Sequence, residues 1–288
     1  MTSRRRLTTG LIAVLASAPF TCAQFKSDVR LVEIYASVFD RQGNAVDGLS
    51  RDRFRILDNG EPRPVYSFEA TSEDLTVAIL LDTTGSMRDA LASVRNAVSA
   101  LIGQMRPGDK VGVFGFNTSV TVLQDFTTDK DAARRAVQRT RAAGGTALFD
   151  ALAEVTRDLA AHQGKKVIVL FTDGADNASR LLPQAITDAS LKAGIPVYSV
   201  AEGDATHEGR LLQQLKVLSE KTGGVCYRAR TAGEVSKIFT EIQSVLSHVY
   251  LLSFRPPEAD QTKWRTIQVE VTGLTGQKVR GKQGYFPN

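Results

Sequence analysis

The stretch from Thr76 to Met87 constrains this chain most. A run of Val, Ile and Leu ends abruptly in Asp82, Thr84 and Ser86, and from Arg88 to Met105 apolar residues recur at helical spacing. This pattern predicts a buried strand, a loop and a helix. The three oxygen-bearing side chains then fall at the carboxyl edge of a sheet, where open α/β folds place their ligands. One carboxylate and two hydroxyls form a hard, oxygen-only set, which suits Mg²⁺ or Mn²⁺ better than zinc.

From there strand and helix patterns alternate, and the expected α/β unit spans residues 73–247. Strands are expected at Lys110 to Phe116, Val120 to Leu123, Lys166 to Phe171, Ile195 to Val200 and Val225 to Arg228. Helices are expected at Asp129 to Arg141, Ala147 to Ala161, Leu182 to Ala193, Glu208 to Lys221 and Gly233 to Leu246. Such alternation predicts a doubly wound, mostly parallel sheet with helices on both faces. The Lys166 strand also ends in a carboxylate, Asp173, and Gly144-Gly145-Thr146 introduces a helix.

The flanks read as all-β. In residues 24–72, Phe25 to Asp40 alternates in part, and Asp58-Asn59-Gly60 marks a tight hairpin between Phe54 to Leu57 and a return strand at Val65 to Phe68. In residues 248–288, Val249 to Phe254, Thr266 to Val271 and Gln277 to Phe286 read as strands. Isolated hairpins are marginal in water, so the two flanks are expected to pair into one small all-β domain, with the α/β unit inserted between them.

Residues 1–23 carry Arg4, Arg5 and Arg6 ahead of an apolar run and the small residues Thr21 and Ala23, which predicts a cleaved secretory signal. The arginines faintly suggest a twin-arginine signal, and lipidation at Cys22 and an uncleaved anchor are the other readings. The apolar run is too short to span comfortably, so no membrane span is expected after cleavage. Cleavage removes three arginines and no acid from a formal net charge of +5, which leaves little support for a nucleic-acid partner. Cys226 then stands alone in an apolar, strand-like setting and reads as an inert buried thiol. His162, His207 and His248 have no partner at ligand spacing, which argues against zinc.

Asp82-Thr83-Thr84-Gly85-Ser86, Thr146 and Asp173 together resemble the metal-ion-dependent adhesion site of the von Willebrand factor type A domain family. Lys110 to Asn117 and Val167 to Gly174 resemble that family's second and fourth strands, and the flanks resemble the β extensions of a bacterial exported subgroup. The resemblance implies that Ser86 and Thr84 bind a Mg²⁺ or Mn²⁺ ion through their hydroxyls. It implies Asp82 and Asp173 at or near the ion, partly through water, and Thr146 as a ligand in one conformational state. The chain would then be an exported, periplasmic or extracellular, non-catalytic binding protein that takes an acidic group of a protein partner. Thr84 departs from the family's usual Ser; it keeps the hydroxyl and adds a methyl group.

Asp82 to Ser86 also resembles the aspartyl-phosphate loop of haloacid dehalogenase-like phosphotransferases, and Thr172 to Asn177 resembles their later Mg²⁺ motif. That resemblance implies Asp82 as nucleophile, Asp173 or Asp176 on Mg²⁺, and Lys165 or Lys166 steadying a phosphate. Thr83 and Thr84 stand where that class carries a Lys or an acid/base Asp, and Gly144-Gly145-Thr146 has no role in it.

Overall fold

A computed structural model describes residues 31–70, 74–173, 176–202, 209–258 and 263–287. The expected signal at 1–23 lies outside them. The strands are β1 (Val32–Phe39), β2 (Phe54–Asp58), β3 (Glu61–Arg63), β4 (Ser67–Glu69), β5 (Leu75–Asp82), β6 (Lys110–Phe116), β7 (Val120–Thr127), β8 (Lys165–Thr172), β9 (Val197–Glu202), β10 (Cys226–Ala229), β11 (Val249–Phe254), β12 (Arg265–Val271), β13 (Lys278–Arg280) and β14 (Gly284–Tyr285). The helices are α1 (Leu91–Gln104), α2 (Lys130–Gln138), α3 (Leu148–Ala160), α4 (Pro183–Ala193), α5 (Gly209–Thr222) and α6 (Ala232–Ser247).

The central sheet runs β10-β9-β8-β5-β6-β7, parallel throughout except for the antiparallel edge strand β7. Its middle strands β5 and β8 are buried at every position, as continuous apolar runs require when helices cover both faces. Strand alternation divides their side chains between two cores. Val77, Ile79 and Leu81 pack with α1, α2 and α6, through residues such as Val98, Val137 and Phe239. Ala78 and Leu80 pack with α3, α4 and α5, through Leu152, Ile186 and Leu215.

The two flanks pair with each other. β1 and β11 run antiparallel from Val32↔Phe254 to Ser37↔Val249, and β2 and β12 from Ile267↔Asp58 to Val271↔Phe54. Two four-stranded sheets result, β13-β1-β11-β4 and β14-β12-β2-β3. Between them lies a third core containing Ile34, Ile56, Tyr250, Leu252 and Phe254. The β1–β11 sheet has a second use: Tyr35, Phe39, Val249 and Leu251 face the α1/α6 core of the central sheet. The small β-sandwich therefore shares packing with the α/β unit, and the Tyr35 hydroxyl accepts from the Lys166 amide at 2.9 Å across the seam.

Three local expectations change. The hairpin returns at once, at Glu61–Arg63, because Asn59 (φ 51°) and Gly60 (φ 82°) supply both left-handed positions of a two-residue turn. Pro62 is tolerated there because β3 is an edge strand. In place of the return expected at Val65 to Phe68, the chain forms β4 (Ser67–Glu69), which pairs with β11 in the other sheet. The expected strand from Gln277 to Phe286 splits into β13, paired with β1, and β14, paired with β12. Between them Gly281 passes so near β1 that a Cβ on it would lie 3.1 Å from the Tyr35 carbonyl oxygen. Finally, the helix expected from Arg88 begins at Leu91, after a 3-10 turn over Gly85–Arg88.

Candidate metal centre

β5 delivers Asp82 to the carboxyl edge of the sheet, fully buried. Its carboxylate accepts from the Thr84 amide at 2.9 Å and from the Thr172 hydroxyl at 2.7 Å. Burial raises its pKa above the usual carboxylate range, against the lowering effect of hydrogen bonds from Thr84 and Thr172. The chain then turns over the end of β6, where the Thr83 amide and hydroxyl both donate to the Phe116 carbonyl, at 2.8 and 2.9 Å. This tether aims Thr84 and Ser86 back across the edge.

The Thr84 and Ser86 hydroxyls stand 3.0 Å apart, and Ser86 donates to Asp173 Oδ1 at 2.8 Å. Asp82, Thr84, Ser86 and Asp173 thus form one hydrogen-bonded set across the adjacent strands β5 and β8. Thr84 and Asp173 are buried while Ser86 is exposed, so the set opens to solvent at Ser86. A hydroxyl that gives its proton to a carboxylate keeps its lone pairs for a cation.

Thr146 reaches the same edge by its backbone. The Ala143 amide donates to the Thr83 carbonyl at 2.7 Å, and the Gly85 amide to the Gly144 carbonyl at 3.4 Å. Asn177, beyond Asp173, clamps the next residue from the other side: its side-chain oxygen accepts from the Thr146 amide at 2.9 Å, and the Asn177 and Ala178 amides both donate to the Thr146 carbonyl at 3.0 Å. Gly145 lets this clamp close, since a Cβ there would lie 3.2 Å from the Asn177 side-chain oxygen. Asn177→Ala is expected to lower stability by about 1 kcal/mol and to speed hydrogen exchange at the Thr146 amide. Asn177→Asp keeps the acceptor and is expected to do less of both.

Two roles attached to the phosphotransferase resemblance do not survive the geometry. Asp176 caps helix α3: its carboxylate accepts from the Phe149 amide at 3.1 Å and from the Ser179 amide at 3.0 Å. Lys165 and Lys166 begin β8, at the opposite edge, about 25 Å from its end by strand rise, and their ammonium groups donate to the Ala70 and His162 carbonyls.

Sequence reasoning missed Asn177 as the Thr146 clamp, and it missed Glu202. Thr172 and Ala201 are register partners of β8 and β9, so Glu202 ends β9 beside Asp173. Its Oε2 is buried without a hydrogen-bond partner among the described residues. Burial, then the Asp173 charge, pushes its pKa up to about 7. Neither role has a sequence signal, because both follow from contacts between strand ends.

The donors fit a hard divalent cation: all are oxygens, two are carboxylates, and a buried carboxylate oxygen nearby lacks a donor. Among the described residues no three His, Cys, Asp or Glu side chains are grouped to hold a metal by themselves, so a cation at this edge would need the hydroxyls as well. His162 packs against Phe126 and His248 Nδ1 lies 2.6 Å from the Ser244 carbonyl oxygen. Cys226 is partly buried, and burial pushes its thiol up to about 11, out of the reactive range.

The structure is an open α/β domain whose strand-end loops gather hydroxyls and carboxylates at one sheet edge. Residues 77–175 match the family model of the von Willebrand factor type A domain. A UPF0353 protein of Mycobacterium leprae (strain TN) is 24% identical over 202 residues, covering 60% of this chain and 60% of that protein. One from Mycobacterium ulcerans is 22% identical over 215 residues, covering 64% of each. The chain thus spans about 60% of the length of these curated relatives. Among solved structures, a von Willebrand factor type A protein from Catenulispora acidiphila aligns with TM-score 0.54 at 14% identity, over 90% of this chain and 75% of that one. Proximal thread matrix protein 1 from the mussel byssus, solved with a zinc-occupied MIDAS motif, aligns with TM-score 0.54 at 17% identity, over 66% and 49%. The von Willebrand factor domain of the type V pili tip protein Mfa5 from Porphyromonas gingivalis aligns with TM-score 0.51 at 12% identity, over 59% and 94%. At these identities the likeness is one of fold.

Proposed function

We propose that the protein is an exported, non-catalytic binding module that grips an acidic group of a protein partner at the edge formed by Asp82, Thr84, Ser86, Thr146 and Asp173. The observation that carries this reading is the hydrogen-bonded chain Thr84–Ser86–Asp173 beside Asp82, with the Thr146 loop clamped next to it. A Mg²⁺ or Mn²⁺ ion there would supply a positive point charge with water positions that an incoming carboxylate can replace. The protein's part is to hold the oxygens in place: Thr83 pins the first loop to β6, and Asn177 pins the Thr146 loop to the Asp173 loop. Thr84 keeps its hydroxyl within the set, and its methyl group does not break the contact to Ser86.

The fold's occurrence in a pili tip protein and in a byssal matrix protein supports a protein-interaction role. Export rests on the sequence of residues 1–23; among the described residues no helix is long and apolar enough to cross a membrane. The phosphotransferase reading is disfavoured because Asp176 is engaged in capping α3 and Lys165 and Lys166 lie at the opposite edge of the sheet, which leaves that chemistry without the groups it would use on Mg²⁺ and phosphate.

The test is recovery of partners from the native envelope fraction on immobilised protein, in Mg²⁺ and in EDTA, with Asp82→Ala alongside. The expected result is a partner retained in Mg²⁺, released by EDTA or by an excess of an Asp/Glu-rich peptide, and not recovered by the variant. Recovery that neither EDTA nor Asp82→Ala disturbs would mean that binding does not use the metal edge. Asp82-dependent turnover of p-nitrophenyl phosphate in Mg²⁺ would establish the phosphotransferase instead.

A further inference from the structure

Three neighbouring strands of the central sheet, β5, β8 and β9, end in or run into a carboxylate: Asp82, Asp173 and Glu202. The first two have hydrogen-bond donors, from Thr84, Thr172 and Ser86. Glu202 differs, because its buried Oε2 has no donor among the described residues and its nearest charged influence is the like charge of Asp173. A carboxylate so placed is a net cost to the fold. The packing of β9 is carried by other side chains: Val197, Tyr198 and Val200 enter the two cores, and Ser199 bonds to the Ser219 hydroxyl at 3.0 Å. A like-charged, donor-poor pair at a strand edge becomes favourable when a cation stands near both.

We propose that Glu202 is an outer carboxylate of the cation edge, lending a third negative charge to the ion that Asp82, Thr84, Ser86, Thr146 and Asp173 hold. This rests on the metal reading above and adds to it. Glu202 acts from the rim, because the three carboxylates are not grouped to hold a metal alone. Its Oε2, buried without a donor on the strand beside Asp173, is an acceptor that a cation at this edge would satisfy. Three carboxylates over-neutralise a divalent ion, so the edge should favour a trivalent lanthanide strongly, and Glu202 should account for part of that preference.

The experiment compares wild type, Glu202→Gln and Glu202→Asp by Mn²⁺ titration calorimetry and Tb³⁺ luminescence, with thermal unfolding of each in EDTA. Glu202→Gln is expected to weaken Mn²⁺ about tenfold, the lower end for outer-shell changes, and Tb³⁺ by more. Glu202→Asp keeps the charge and is expected to lie within about threefold of wild type on the same scale. In EDTA the Gln variant is expected to melt at the wild-type temperature or above it, because it removes a like charge beside Asp173. Equal Mn²⁺ affinity in wild type and Glu202→Gln overturns the proposal while leaving the metal reading intact. A Gln variant that melts well below wild type in EDTA, or fails to fold, also overturns it, by showing an ordinary structural role. Wild-type protein that binds neither ion overturns the metal reading and this proposal with it.

Discussion

Arg265→Ala is expected to lower the unfolding free energy by about 3 kcal/mol, the low end of the range for breaking a buried ion pair. Asp58, at the end of β2, is fully buried and lies at the centre of the sandwich's polar contacts. Arg265 from β12 grips it bidentately, Nε to Oδ1 at 2.7 Å and Nη2 to Oδ2 at 3.0 Å. Arg63 and the Tyr285 hydroxyl each reach Oδ2 at 3.3 Å. Removing Arg265 strands a buried carboxylate, and the two longer contacts only partly compensate. The melting temperature should fall by about 5 °C for a chain of this size. Arg63→Ala removes a longer and more exposed contact, so its expected cost is about 1 kcal/mol. Chemical denaturation of both variants checks the order; an Arg265→Ala protein within about 0.5 kcal/mol of wild type would show that the Asp58 cluster does not hold the flanks together.

That cluster also shows where the sequence could and could not be read. Asp58 looks like the first residue of an Asp-Asn-Gly turn, and it is; its burial depends on Arg265 and Tyr285, more than 200 residues away. The pairing of the flanks was legible because neither could be stable alone. The continuity of their core with the α/β unit was not, since Tyr35 and Phe39 on alternate positions of β1 give no hint of which partner they meet. β5 and β8 were plain from their unbroken apolar runs ending in carboxylates. The split between β13 and β14 was hidden because Gly281-Lys282-Gln283 has no Pro or turn dipeptide; it is enforced by the close pass at Tyr35.

At the candidate centre, Asp82, Thr84, Ser86 and Asp173 could be placed from spacing plus strand ends, and they do come together. Thr146 arrives through backbone contacts that Asn177 makes, which local sequence does not encode. Glu202 was invisible for the same reason as Asp58: its meaning lies in the strand beside it.

The second large effect concerns the ion itself. An ion that binds the folded chain and not the unfolded one stabilises it by about 2.7 kcal/mol at one hundred times its dissociation constant. Asp82 is the residue on which this depends most, because it is a fully buried carboxylate and it orders Thr84 through the amide contact. Its burial raises its pKa, so the charged form is costly without a cation and favoured beside one. Asp82→Ala removes that charge and the order of the loop together. Thr84→Ser keeps the hydroxyl and should preserve the effect.

Thermal unfolding of wild type and Asp82→Ala, each in EDTA and across a Mn²⁺ titration, tests the central claim most directly. The expected result is a melting temperature that climbs with Mn²⁺ in wild type, returns to the starting value on chelation, and stays flat in Asp82→Ala. A wild-type melting temperature that does not move between EDTA and saturating Mn²⁺ or Mg²⁺ would contradict the metal-edge account of this protein.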